Sequence, residues 1–118
     1  MRGDVLGQGS AALPQGKRVS LAILTGPRQG DVVTLERPRV LIGRAGGGVD
    51  ADIEIVDPEV SRSHATVTCH GPRVVLRDLG STNGTFVGLD RVEERDLEDH
   101  AEFRVGSTCF MLILADAE

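Results

Sequence analysis

Asp78-Leu79-Gly80-Ser81-Thr82-Asn83-Gly84-Thr85 ends one apolar run and begins another. Asn-Gly between β-prone segments is among the strongest short hairpin signals, because both residues tolerate positive φ. The turn also carries more chemistry than reversing a chain requires. The hydroxyls of Ser81 and Thr82 stand beside the Asn83 amide. Two distant fragments, Gly43-Arg44 and Ser61-Arg62-Ser63-His64, are similarly rich in donors and cations.

Outward from that turn the chain reads as strands. Val19, Leu21, Ile23 and Thr25 alternate with Arg18, Ser20 and Ala22 until Gly26-Pro27. Short β patterns follow at Val33 and Leu35, Val40 to Gly43, Ile53 to Val56, Ala65 to His70 and Val74 to Leu79. Thr85 to Val87, Phe103 to Val105 and Thr108 to Leu114 complete the set. Gly- and Pro-containing breaks at roughly 8–12-residue spacing between such runs indicate an all-β sandwich or barrel. Val92 to His100 offers only Val92 and Leu97 as apolar residues, too few for a helix stripe. It is expected to be a loop with at most one helical turn, and the acidic run Glu93 to Glu102 a solvated face. Residues 1–16, rich in Gly, Ala, Ser and Gln, read as a flexible leader or linker, with one domain over residues 17–118.

Composition narrows the function. A net charge of −5 argues against direct binding of nucleic acid, whose phosphate backbone demands a basic face. No segment approaches the ~20 apolar residues of a membrane-spanning helix, and no signal peptide stands at the start. The absence of Trp and Tyr weakens any stacking platform for bases. Cys69 and Cys109 each sit in an apolar run and read as free thiols, which favours a reducing, cytoplasmic setting.

The three polar fragments suit an anion held locally. Arg44 offers a planar, permanently charged fork for bidentate contact with phosphate. Arg62 adds a second cation, Ser61 and Thr82 short hydroxyl donors, and Asn83 an amide that donates and accepts at once. A phosphate monoester carries roughly −1.5 to −2 charge near neutral pH. Each charge-assisted hydrogen bond to it contributes about 1.5–3 kcal/mol.

In order and spacing, Gly43-Arg44, Ser61-x-x-His64 and Leu79-Gly80-Ser81-Thr82-Asn83-Gly84-Thr85-Phe86-Val87 resemble the forkhead-associated (FHA) domain family. The resemblance covers about residues 18–115. It implies an eleven-stranded β-sandwich of the FHA/SMAD type, with binding loops at one end, acting as a phosphothreonine-recognition module and not as an enzyme. By resemblance, Arg44, Ser61 and Arg62 contact phosphate, Thr82 lies near the phosphothreonine, and Asn83 holds the peptide main chain. Gly43, His64 and Gly84 are implied to support the site: Gly43 positions Arg44, His64 braces the loops, and Gly84 supplies turn geometry. The implied partner is a threonine-phosphorylated protein or peptide, such as a Ser/Thr protein kinase or its substrate, with no cofactor. This sequence departs from the family's pattern at Gly46-Gly47-Gly48, which lengthens the loop after Arg44, and at Gly88-Leu89, where the family commonly has Asn-Gly.

Other readings stand beside this one. The same fold could serve as a phosphate-independent interaction or assembly domain. Ser61, His64 and Asp78 are poor candidates for a hydrolytic triad, because no Gly-x-Ser-x-Gly elbow presents the serine. His64 and His70, six residues apart on a strand, are about 20 Å apart and do not share a metal. Gly26-Pro27-Arg28-Gln29-Gly30 lacks the ending of a phosphate loop. Asp57 and Glu59, just before Ser61, are expected to disfavour acidic residues three past the phosphothreonine. Residues 1–16 and 115–118 contain no Thr, so neither segment supplies a phosphothreonine ligand.

Overall fold

The computed structural model describes residues 11–117. Eleven strands run β1 (Lys17–Ile23), β2 (Val32–Thr34), β3 (Arg39–Arg44), β4 (Ile53–Ile55), β5 (Ala65–His70), β6 (Arg73–Asp78), β7 (Thr85–Val87), β8 (Asp90–Val92), β9 (Glu94–Leu97), β10 (Glu102–Val105) and β11 (Thr108–Asp116). They form a six-stranded sheet ordered β2-β1-β11-β10-β7-β8 and a five-stranded sheet ordered β4-β3-β5-β6-β9. The pairing of β3 with β4 is parallel.

Alternation dictates the core. Val19, Leu21 and Ile23 from β1, with Phe110 and Leu112 from β11, project from one sheet. Ile42, Ile53, Ile55, Val67 and Leu76 project from the other. Such interdigitated inner faces are what hold a two-sheet sandwich together. Phe103 and Phe110, cross-strand partners, stack with ring centroids 4.8 Å apart.

Three sequence-based expectations need correction. Val92 to His100 is not a loop: Val92 closes β8, and Glu94 to Leu97 form β9, paired antiparallel to β6. Edge strands need few inward side chains, and here Val92 and Leu97 are enough. Charged residues on the outer side keep such an edge from pairing with other chains. The acidic residues Glu93, Glu94, Asp96, Glu98 and Asp99 are indeed exposed.

The folded body also begins before Lys17. Ala12 donates its N–H to the Cys69 carbonyl at 2.9 Å and accepts the Gly71 N–H at 2.8 Å. Leu13 packs against the core and Pro14 is buried. Residues 11–16 are therefore docked, and residues 1–10 of the expected leader lie outside the described residues.

Finally, Asn83-Gly84 is not a hairpin turn. The strands on either side, β6 and β7, belong to different sheets, so the connection crosses the sandwich. Gly84 has a φ of 92°, and Asn83 is not among the positive-φ residues. A two-residue hairpin follows instead at Gly88-Leu89, where Val87 pairs with Asp90 and Gly88 has a φ of 60°. Glycine at the first of two turn positions closes a hairpin as well as Asn-Gly does.

Candidate functional site

Residues 45–52, 56–64 and 79–84 connect β3 to β4, β4 to β5 and β6 to β7. These loops are tied together at one end of the sandwich by a short set of hydrogen bonds. Arg44 N–H donates to the Ser61 carbonyl at 3.0 Å, and its guanidinium donates to the Val60 carbonyl at 3.2 Å. Thr82 N–H donates to Ser61 Oγ at 3.2 Å. Asn83 Nδ2 donates to the Glu59 carbonyl at 2.8 Å.

Close approach explains two glycines. A Cβ on Gly43 would fall 2.0 Å from the Arg62 carbonyl oxygen, so only glycine lets the second loop lie against the end of β3. A Cβ on Gly47 would fall 3.0 Å from Arg62 Cγ. The extended glycine loop is thus the surface along which the Arg62 stem runs.

His64 is fully buried and does bracing work. Its Nδ1 accepts the Ser61 N–H at 3.0 Å, so that nitrogen carries no proton. The other nitrogen, Nε2, then bears the hydrogen and donates to the Gly84 carbonyl at 2.9 Å. Both ring nitrogens are spent on backbone. Ser61 Oγ therefore has no base, and Asp78 bonds to Ser81 and Thr85 instead of His64. The three residues do not form a nucleophile, base and orienting acid.

Asp78 organises the third loop. Its carboxylate accepts from the N–H groups of Gly80 and Ser81 and from the hydroxyls of Ser81 and Thr85. Burial pushes the Asp78 carboxyl up, but those four hydrogen bonds together outweigh it and hold the group below the ordinary carboxylate range. Ser81 Oγ in turn accepts the Gly84 N–H at 2.9 Å. The sequence reading used Asp78 only to dismiss a triad. The signal that could have found its role is Asp followed two and three residues later by small residues, the pattern of a side chain closing a turn on its own backbone.

The expectation for Asp57 fails on geometry. Asp57 is buried, and its carboxylate accepts from the Ser107 N–H at 2.9 Å, the Ser107 hydroxyl at 2.8 Å and the Glu59 N–H at 2.9 Å. The Ser107 and Glu59 amides, against the opposing effect of burial, hold its carboxyl below the usual range. It anchors the second loop to the turn between β10 and β11 and leaves only 8% of its surface exposed. Glu59 is exposed.

Arg44, Ser61, Arg62, Thr82 and Asn83 are thus gathered by the three loops. Arg44 uses one donor of its fork on Val60, and among the described residues no carboxylate pairs with Arg44 or Arg62. Ser61 Oγ accepts from Thr82, which leaves its own O–H to donate outward. The Asn83 carbonyl oxygen has no hydrogen-bond partner among the described residues. Sequence reasoning missed Arg91, whose side chain packs against Gly84 on the far side of the turn. A Cβ on Gly84 would fall 2.7 Å from Arg91 Nε.

Residues 40–106 match the family model described as the FHA domain. The chain is 34% identical over 98 residues to the glycogen accumulation regulator GarA of Mycolicibacterium smegmatis, covering 83% of this chain. It spans 60% of that regulator's length. It is 31% identical over 103 residues to the oxoglutarate dehydrogenase inhibitor of Corynebacterium jeikeium, covering 87% of this chain and 69% of that protein. Among solved structures, one from a structural and functional analysis of phosphothreonine-dependent FHA domain interactions superposes with a TM-score of 0.73 at 32% identity, covering 85% of this chain and 99% of that one.

Proposed function

The chain belongs to the FHA domain family, a family of non-catalytic modules for phosphopeptide-mediated protein interactions, and we propose that it recognises phosphothreonine in a partner protein. The carrying observation is the convergence of the Arg44 guanidinium, the Ser61 hydroxyl and the Thr82 turn on one spot at the loop end, with no carboxylate among the described residues bonded to Arg44. In this reading Arg44 and Ser61 bind the phosphate, and Arg62 reaches it from its track along Gly47. Thr82 lies beside the phosphothreonine, while Asn83 accepts a main-chain N–H of the peptide. The partner is a threonine-phosphorylated protein in Ser/Thr kinase signalling, either the kinase or its substrate. An anion-binding end on an acidic protein is a local device, which fits selection of a phosphorylated peptide over bulk polyanions.

The test is fluorescence anisotropy with labelled peptides in phosphothreonine, phosphoserine and unphosphorylated forms. Loss of one charge-assisted bond in Arg44→Ala should weaken the best phosphothreonine peptide about 10-fold or more. Burial of the threonine methyl should favour phosphothreonine over phosphoserine by about 0.8 kcal/mol, roughly fourfold. Equal binding by Arg44→Ala and the unaltered chain would remove the site. Binding that survives both Arg44→Ala and dephosphorylation would favour a phosphate-independent interaction domain.

A further inference from the structure

We propose that the outer face of the six-stranded sheet is a second interaction surface, and that its occupant is a second copy of this chain. The sequence of β11 raises the question. Residues 109–115, Cys-Phe-Met-Leu-Ile-Leu-Ala, are all apolar. Phe110 and Leu112 face the core, which leaves Cys109, Met111 and Ile113 on the outer face. A strand open to water on one side normally alternates with polar residues, whereas a wholly apolar run marks a strand covered on both. Here β11 lies in the interior of its sheet, between β1 and β10, and its outward Cys109, Met111 and Ile113 are each half-buried, partly open to solvent. Val32, which shares the Met111 register row through Ala22, is 60% exposed.

The pattern of this face is complementary to itself. Strand registers set two adjacent outward rows. One runs through Glu102, Met111 and Ala22, the other through Phe86, Arg104, Cys109 and Leu24. Between them lies a shallow depression of about 160 Å³ lined by Phe86, Gly88, Glu102 and Arg104, among others. A twofold axis lying between the facing sheets and crossing the strands at Phe103 and Phe110 would lay one row of each copy over the other row of its mate. Glu102 then faces Arg104 twice, Met111 faces Cys109 twice, and the Phe86 ring meets Gly88, which has no side chain. An isologous interface requires this reciprocity.

Within the chain, neither charge has a carboxylate or cation partner among the described residues. Arg104 lies over the Phe86 ring at 4.4 Å and donates to the Gly106 carbonyl at 2.8 Å, and both contacts hold it on this face. Four strands about 4.8 Å apart and two residue rows about 7 Å apart give a footprint on the order of 300 Å² per copy. A standard stable interface buries about 800 Å² per partner, so the association is weak and concentration-dependent.

Sedimentation equilibrium of the whole chain from about 10 μM to about 1 mM tests this. The weight-average mass should rise from monomer toward dimer across that range. Glu102→Arg should weaken dimerisation about tenfold by setting like charges face to face. The double swap Glu102→Arg/Arg104→Glu should restore it, and Met111→Glu should abolish it. Thermal unfolding of each variant confirms the fold, since all three positions lie on the surface. A monomer at every concentration overturns the proposal, as does a dimer indifferent to Glu102→Arg. Failure of the double swap to rescue a weakened dimer overturns the reciprocal arrangement.

Discussion

His64 spans two loops of the site, its Nε2 lying 2.9 Å from the Gly84 carbonyl. The ring is fully buried and bonded to backbone at both nitrogens. Removing it leaves a cavity and orphans a buried carbonyl as well as the Ser61 N–H. His64→Ala is therefore expected to cost about 2–4 kcal/mol in urea unfolding. Phosphopeptide affinity should fall with it even at temperatures where the variant remains folded, because Ser61 and the 79–84 loop lose their common tie. Unchanged stability would mean that the bracing is supplied elsewhere.

Gly43 and Gly46 allow two kinds of glycine to be separated. Gly43→Ala places a methyl 2.0 Å from the Arg62 carbonyl oxygen, against backbone that cannot rotate away. The second loop must move, so peptide binding should suffer with stability. Gly46 has open space around its Cβ position but a φ of 76°. Gly46→Ala should cost about 1–2 kcal/mol of backbone strain and leave Arg62 where it is. Anisotropy titrations with one phosphopeptide, beside thermal melts, check both. A Gly43→Ala variant that binds as tightly as Gly46→Ala would contradict this account.

Acid should act through Asp78. Its folded-state carboxyl is held low, so the stability it contributes is present in full above the unfolded value of about 4. That contribution is lost as the pH falls through the lower folded value. Asp78→Asn keeps one acceptor oxygen and loses the charge. It is expected to be about 1–3 kcal/mol less stable at neutral pH and to have a shallower loss below about pH 4. Parallel unfolding curves at both pH values would decide it, and parallel acid slopes for the two proteins would exclude Asp78.

Much of this architecture was legible, and the failures have physical causes. Strands β1 and β5 announce themselves because each presents three buried inward residues of apolar type at period two, and β6 and β11 because each presents two. β9 does not, because an edge strand with Leu97 as its one buried apolar residue reads as solvated chain. Asn83-Gly84 carries a genuine turn signal, but local propensity says nothing about which sheet the next strand joins. The residues of the candidate site stood out through their chemistry and through the family resemblance. The bonds that aim them run through Val60, Glu59 and Gly84 carbonyls, groups every residue has and no side-chain pattern reveals. Asp57 misled for the same reason: whether a loop carboxylate faces a ligand or the turn of a neighbouring hairpin is decided by tertiary packing.

Asn83 offers the sharpest test of how the site divides its hydrogen bonds. Its Nδ2 donates to the Glu59 carbonyl at 2.8 Å, so one side of the amide clasps two loops, and in the proposed reading the other accepts from a peptide. Asn83→Ala removes both roles and should weaken a phosphothreonine peptide about tenfold. Asn83→Asp keeps an acceptor for the peptide N–H, yet it sets a carboxylate oxygen against the Glu59 carbonyl and a negative charge beside the phosphate. If the donor role governs, the aspartate should bind more weakly than the alanine, with the gap narrowing at high salt as the charge repulsion is screened. If Asn83 acts only as an acceptor, Asn83→Asp should instead bind more tightly than Asn83→Ala. Anisotropy titrations of both variants at about 0.05 and about 1 M salt separate the two cases.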